Sequence, residues 1–473
     1  MQQHQSDETQ SNGESLHRVA GKKGYVSSRG ASNLALPMPY LADFFTCLED
    51  TCDAKTNPKG YIPVAVAENR LVTDILQTRL KTLQTAQAGY TDRDAYSYNS
   101  PIGLPVLREA VAKILQERFL SPQQQQQQSA STTSTINKDH IGIGAGAISV
   151  LSNLFFALGS PKDAVLIPAP YYAAFDNDVR AYAGCVAVPV VCDNPAKGPS
   201  PKDLEQARKH AVEKLGLNVR FLLLTHPHNP LGVVYEPAVM KQAIDWARSN
   251  KMDTVVDEIY ALSVFDDSDS CDFQSILQIL DNDLGVDVHM VWGLSKDFGA
   301  SGFRIGVVYT QNELLIEALG NLFTFAWVSQ PVQFMMADLL NDKPFVDDFL
   351  AQACQRLKHS YELCTRVLSE LEIPFVKAHA AMFVYLDLSE LISTVEQEEQ
   401  FGKVVMKRAR MVLTPGTTQH DPKPGGFRIC YAYVPADVLE IGMERLRKVV
   451  TTIRKQGGLG DWVDDDSHWQ DIL

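Results

Sequence analysis

Trp292-Gly-Leu-Ser-Lys-Asp-Phe-Gly-Ala-Ser-Gly-Phe-Arg304 joins two apolar runs, 288–292 and 305–309. The runs read as strands, and the Gly- and Ser-rich stretch between them reads as a turn that leaves backbone and small side chains accessible. Lys296 offers an amine that can condense with an aldehyde. Arg304, eight residues on, offers a planar fork that grips a phosphate bidentately, which a lysine could not. A lone lysine would be read as a solvated surface charge. Here five other segments, in chain order, carry groups that complement it.

Composition narrows the possibilities first. The chain has 473 residues, 45% of them hydrophobic, enough for a sizeable core and, by length, two to three domains. A formal net charge of -14 argues against a sequence-independent grip on DNA or RNA, which needs a basic face. The eight cysteines are scattered without a Cys-x-x-Cys pair and read as small buried hydrophobes in a reducing compartment. Residues 1–24 lack the apolar stretch of a secretory signal, and no apolar run is long enough for a membrane span. The expected location is the cytoplasm, with neither nucleic acid nor membrane as partner.

Apolar runs at 164–167, 186–191, 221–224, 254–256, 288–292 and 305–309 alternate with helical stretches such as 148–158 and 237–249. That alternation predicts an α/β fold with a mostly parallel central sheet and helices on both faces. The large domain is expected over 76–334, with the Gln- and Ser/Thr-rich stretch 121–136 as a surface loop. A long helical pattern at 344–371, then strands near 382–386 and 427–433, predicts a smaller α+β domain over 335–456. Residues 1–24 are expected to be disordered, and the acidic tail 457–473 mobile and solvated.

The remaining segments converge on one ligand. Gly142-Ile-Gly-Ala-Gly-Ala-Ile-Ser149 follows a short strand and opens a helix, so backbone amides at Ala147, Ile148 and Ser149 can cradle a phosphate. In Pro168-Ala-Pro-Tyr-Tyr172 an aromatic can stack on a flat ring. In His226-Pro-His-Asn-Pro-Leu-Gly232, Asn229 can donate to a phenolate oxygen. The two histidines have no carboxylate or thiol at ligand spacing, so no metal is expected. Asp257-Glu-Ile-Tyr260 places a carboxylate that can hold a pyridine nitrogen protonated, or cap a helix, and Tyr260 can reach the same phenolate as Asn229. In Gly425-Gly-Phe-Arg-Ile-Cys-Tyr431, Arg428 interrupts an apolar strand and needs a partner when buried, a substrate carboxylate or a structural acid. An aldehyde, a phosphate, a phenolate and a pyridine nitrogen together describe pyridoxal 5'-phosphate (PLP).

On these residues the chain resembles the fold-type I PLP enzymes of the class I/II aminotransferase superfamily. Through Ala67-Glu-Asn-Arg-Leu71 and Pro170-Tyr-Tyr-Ala-Ala-Phe-Asp176 it resembles the 1-aminocyclopropane-1-carboxylate (ACC) synthases and their like. The resemblance implies roles. Lys296 anchors the cofactor and moves the Cα proton. Asp257 pairs the pyridine nitrogen, and Asn229 and Tyr260 hold the phenolate. Tyr172 stacks on the ring, while Ser295 and Arg304 join Ala147, Ile148 and Ser149 at the phosphate. Arg428 takes the substrate carboxylate, and Glu68 lies beside the substrate. It also implies that residues 25–75 form an arm contributing to the small domain, and a homodimer with sites at the subunit interface. The chain departs from the family pattern at Gly293, where relatives carry a hydroxyl, at Ile148 in the phosphate cup, and at Pro101-Ile102. At the last, relatives carry a tyrosine that reaches the neighbouring site, leaving Tyr96 or Tyr98 for that contact with substrate or cofactor. The leading reaction is ACC-synthase-like elimination or γ-substitution on S-adenosylmethionine or a related amino acid. The alternative is amino transfer to a 2-oxo acid.

Overall fold

The computed structural model describes residues 6–11, 14–19, 23–34, 38–83, 93–126, 135–266, 273–469 and 472–473. Its centre is a seven-stranded sheet: β1 (Ile141–Ala145), β2 (Asp163–Ala169), β3 (Val186–Val191), β4 (Asn218–Thr225), β5 (Asp253–Asp257), β6 (Val288–Gly293) and β7 (Ile305–Thr310). Their spatial order is β1-β7-β6-β5-β4-β2-β3. Only β7 runs against its neighbours, pairing antiparallel with β6 and β1. Every position of β2, β5, β6 and β7 is buried. Strands covered on both faces by helices cannot alternate polar and apolar residues, which is why the sequence shows them as continuous apolar runs.

Helix α1 (Ala147–Leu158) leaves β1 through Gly146, and helix α2 (Lys343–Glu370) is started by the Asp342 side chain accepting from the Phe345 amide. Beyond α2, strands β8 (Phe383–Asp387), β9 (Thr414–Pro415) and β10 (Gly426–Cys430) form an antiparallel sheet in the order β8-β10-β9. Helix α3 (Ala436–Lys455) packs with α2 beside it. The N-terminal arm belongs to this unit: Ile62–Pro63 pairs in parallel with Met411–Val412, and Phe44, Ile62 and Val64 share a core with Phe383, Ile429 and Leu446.

Both chain ends differ from expectation. Ser6–Ser11 pairs antiparallel with Glu14–Val19, which also pairs with Val26–Ser27, so part of 1–24 is a ribbon. Backbone hydrogen bonds form such a ribbon without the apolar side chains whose absence suggested disorder. The acidic tail is docked rather than solvated. Val463, Trp469 and Ile472 are buried in the small-domain core, and Trp462 stacks on Trp469 with ring centroids 5.2 Å apart. Arg408 lies over Trp469 at 5.3 Å and pairs with Asp466. Three apolar side chains among many carboxylates suffice to bind the segment, because burial of an aromatic outweighs solvation of its neighbours. Of the low-complexity loop, Pro122–Gln126 forms a helical turn tied by Gln124 to the Gln278 carbonyl and Asp281; 127–134 lie outside the described residues.

If the tail is part of the core, Trp469→Ala should cost on the order of 3 kcal/mol in stability. Denaturant unfolding of the two proteins measures it, and coincident transitions would mean that the tail contributes nothing to the fold.

Candidate active site

The carboxyl ends of β4, β5 and β6 open onto one cavity, the usual ligand position of a sheet of this kind. Lys296, Asp257, Asn229, Tyr260, Ser295, Arg304, Tyr172, Ala147, Ile148 and Arg428 all line it. Residues spread over nearly three hundred positions of sequence thus meet at one point, as the motifs required.

The end of the cavity at α1 is built largely from backbone. Gly146 caps α1 and carries no side chain to satisfy the first-turn amides of Ala147, Ile148 and Ser149. They stay available to an anion, at the positive end of the helix dipole. Arg304 adopts a left-handed backbone (φ 57°) that turns its guanidinium under this helix end, and its Nη1 donates to the Ser301 carbonyl at 2.9 Å. A Cβ on Gly146 would fall on that guanidinium, and one on Gly306 would lie 2.5 Å from the Ala147 nitrogen. Both glycines are therefore required for the close approach. The Ile148 side chain is exposed and the Ser149 hydroxyl sits 3.3 Å from Asn153 Nδ2, so these residues face the site through their amides. Gly293 has a similar explanation: a Cβ there would lie 2.7 Å from the Ile305 carbonyl oxygen, leaving no room for the hydroxyl residue of relatives. Ser295 and Ser301 supply hydroxyl side chains on the cavity wall instead.

Lys296 rides on the short helix Leu294–Asp297 directly after β6. Its neighbour Asp297 anchors that turn, accepting from Ser263 Oγ at 2.6 Å, Trp292 Nε1 at 2.8 Å and the Leu262 amide at 3.1 Å. The Lys296 amine donates to the Ala67 carbonyl at 2.5 Å. Burial lowers its proton affinity, and the charges of Arg428 and Arg304 add to the effect against Cys430 and Glu68. A less basic amine is the form that attacks an aldehyde or takes a proton.

At the opposite end of the requirement stands Asp257, 5% exposed, whose side chain accepts from the Ile259 amide at 3.2 Å. Burial pushes its carboxyl up to about 7, only partly offset by that amide and Lys296. Such a carboxyl calls for a cationic partner, which a pyridinium N–H provides. Asn229 Nδ2 donates to Tyr260 Oη at 3.1 Å, and Asn229 Oδ1 accepts from Arg428 Nη1 at 2.8 Å. Arg428, 1% exposed, also donates through Nη2 to the Ala65 carbonyl at 2.6 Å and to Thr414 Oγ1 at 3.2 Å, while its buried Nε has no partner. No carboxylate of the chain pairs with it among the described residues, which rules against a structural salt bridge. The donor set, anion cup, amine and buried acid together fit PLP.

Three predicted residues are placed outside the cavity. Glu68 does not line the cavity; its Oε2 accepts from Arg70 Nε at 2.8 Å, and Arg70 in turn lies over the Tyr433 ring at 3.9 Å. Tyr98 is 95% exposed and stacks on Trp327, and Tyr96 is 70% exposed, so neither enters the cavity. His226 and His228 are buried against Tyr235, with burial lowering them to about 4 and 3. They are neutral spacers behind Asn229. The sequence offered no sign of Met38, Tyr40, Thr225 or Asp178 on the cavity wall. Asp178 is 3% exposed, leaves Oδ2 without a partner, and is pushed up to about 8, mainly by burial and then by Asp257.

Residues 65–446 match the family described as aminotransferase class I and II. The chain is 31% identical to a 1-aminocyclopropane-1-carboxylate synthase of Glycine max, over 87% of this chain and 85% of that one. It is 30% identical to 1-aminocyclopropane-1-carboxylate synthase 7 of Arabidopsis thaliana, over 88% and 93%. A double mutant of aspartate aminotransferase from Thermus thermophilus has the same fold, with a TM-score of 0.69 at 22% identity over 90% of this chain and 100% of that one. The protein belongs to the class I and II aminotransferase family and is a PLP-dependent enzyme of fold type I.

Gly306→Ala should lower PLP affinity at least about tenfold, since the clash is with backbone and the cup cannot close on phosphate. Equilibrium titration of cofactor-free protein with PLP checks this; unchanged affinity would place the phosphate elsewhere. A second expectation concerns pH. Burial raises Asp257 to about 7, Asp178 and Glu258 to about 8 and Asp297 to about 7, from ordinary values of 3.8 for Asp and 4.5 for Glu. Between those limits the folded chain keeps protons that the unfolded chain has lost. The stability these carboxyls contribute is complete below about pH 4 and lost as pH rises through about 7–8. The urea midpoint of cofactor-free protein should therefore fall from about pH 5 to about pH 8, less steeply in Asp257→Asn.

Proposed function

We propose that this enzyme acts on an α-amino acid in the manner of an ACC synthase, with S-adenosylmethionine or a closely related sulfonium amino acid as substrate. The observation that carries the reading is the pairing, in one buried cavity, of a lysine of lowered basicity with a fully buried arginine whose Nε is open. The similarity to ACC synthases over most of both chains supports the reaction type.

PLP, when bound, supplies an electron sink for negative charge at the substrate Cα. The rest is done by the chain. Ala147, Ile148, Ser149, Ser295 and Arg304 hold the phosphate, and Tyr172 covers the ring face. Asn229 and Tyr260 take the phenolate, and Asp257 keeps the ring nitrogen protonated. Arg428 binds the α-carboxylate, which turns the Cα–H bond toward Lys296. Lys296 Nζ then removes that proton as general base. Departure of the γ sulfonium group follows, with ring closure in elimination or capture by another nucleophile in γ-substitution. Glu68 is paired with Arg70 outside the cavity wall, and would meet a cationic substrate on exchanging that partner for it. The reading carries with it a homodimer in the cytoplasm, in which exposed Tyr98 reaches the partner's site.

Amino transfer is the second reading, favoured by the same Lys296 amine, which removal of a Cα proton in either reaction would use. Product analysis separates the two: protein with PLP and S-adenosylmethionine should yield ACC or a γ-substituted product. Conversion of ordinary amino acids to 2-oxo acids, with S-adenosylmethionine untouched, would establish the aminotransferase instead. Glu68→Gln should depress turnover of S-adenosylmethionine about tenfold, a charge-assisted contact's worth, while changing any transamination of neutral amino acids little.

A further inference from the structure

We propose that Tyr171, Asp176 and His420 form a clasp between the two domains that sets the position of Arg428 relative to the cofactor wall. The inference rests on reading Arg428 as the carboxylate-binding residue. Asp176 is the shared acceptor: Tyr171 Oη donates to Oδ1 at 2.7 Å, and His420 Nε2 lies 2.7 Å from Oδ2. The His420 ring stacks on the buried Tyr171 ring with centroids 4.6 Å apart and planes 22° apart. The Tyr171 amide also donates to the Gln419 carbonyl at 2.8 Å. His420 holds a left-handed backbone (φ 61°), a conformation that a non-glycine residue adopts at a cost. Two polar ties and a ring stack join segments 244 positions apart in sequence, and the Tyr171–Asp176 hydrogen bond braces the large-domain side.

What the clasp connects gives it its role. On the large-domain side, Tyr171 precedes the ring-covering Tyr172, and Asp176 lies in the short helix Phe175–Arg180 whose Asp178 lines the cavity. On the small-domain side, His420 is at the tip of the loop between β9 and β10. Thr414 at the start of that loop accepts from Arg428, and Arg428 itself follows its end. The loop is stiff. Glu398, 1% exposed, accepts from the amides of Thr417 and Gly425 at 3.0 and 2.7 Å, and Tyr385 Oη donates to Asp421 at 2.5 Å. A tie at the tip of a stiff loop therefore fixes its base. Asp176 and His420 act as positioning residues: they set how far the guanidinium stands from the ring that Tyr172 covers.

Two aminooxy probes test this on the PLP-loaded enzyme. Aminooxyacetate carries a carboxylate for Arg428, and methoxyamine does not; both condense with the cofactor aldehyde. Asp176→Asn removes the charge, and His420→Asn suits the left-handed backbone but is too short to reach Asp176. Each should slow capture by aminooxyacetate at least about fivefold while leaving methoxyamine capture and the cofactor absorbance unchanged, because only carboxylate alignment is lost. In an Arg428→Lys background the same substitutions should have no further effect on aminooxyacetate. Equal slowing of both probes would make the clasp a support of the fold alone, and no slowing of either would remove it. If Arg428→Lys itself leaves the preference for aminooxyacetate intact, the carboxylate reading of Arg428 fails with it. A full Arg428 effect without a clasp effect overturns the clasp only.

Discussion

A guanidinium buried to 1% exposure cannot be left without partners, and the way Arg428 is satisfied ties the molecule together. It reaches from a strand of the small domain to Asn229 on the large domain, and to the Ala65 carbonyl on the N-terminal arm. One side chain thus joins three separate stretches of chain at the wall of the cavity. Among the described residues no carboxylate neutralises the charge, so the site keeps a standing demand for an anion.

The same imbalance is repeated with opposite sign at Asp257. A carboxyl held at about 7 by burial and an amine of lowered basicity at Lys296 share a cavity without forming an ion pair. Lys296 donates instead to a backbone carbonyl. Had the two neutralised each other, neither would be free for the cofactor. Separate elements hold them apart: Asp257 ends β5, while Lys296 is fixed on the next turn by the three hydrogen bonds to Asp297.

Backbone amides, together with the Arg304 guanidinium, shape the end of the cavity at α1. Glycines at 146 and 306 admit a guanidinium and a strand to distances that no Cβ would allow. The cup can therefore dispense with the hydroxyls that Ile148 and Gly293 lack. Substitutions that weaken a motif on paper are absorbed because amide donors carry no sequence signature.

Much of this protein is legible in its sequence. The six apolar runs are strands of one sheet, five of them parallel, and those buried on both faces leave a continuous apolar trace. Lys296, Asp257, Asn229, Tyr260 and Arg304 could be read because each lies at a strand end, where local turn chemistry and ligand chemistry coincide in a few adjacent residues. Distance in sequence hid the rest. Met38 and Tyr40 join the cavity wall only through folding, and His420 meets Asp176 across 244 positions. Glu68 showed its identity but not its direction, which the pairing with Arg70 decided. The tail's burial was masked by its carboxylates, since composition counts charges and only packing reveals which few apolar side chains have a groove to enter. Sequence alone determined the sheet and which motif residues stand at its carboxyl edge, because those rest on contacts between neighbouring residues. Tertiary structure decided which distant side chains close the cavity, because that depends on how two domains pack.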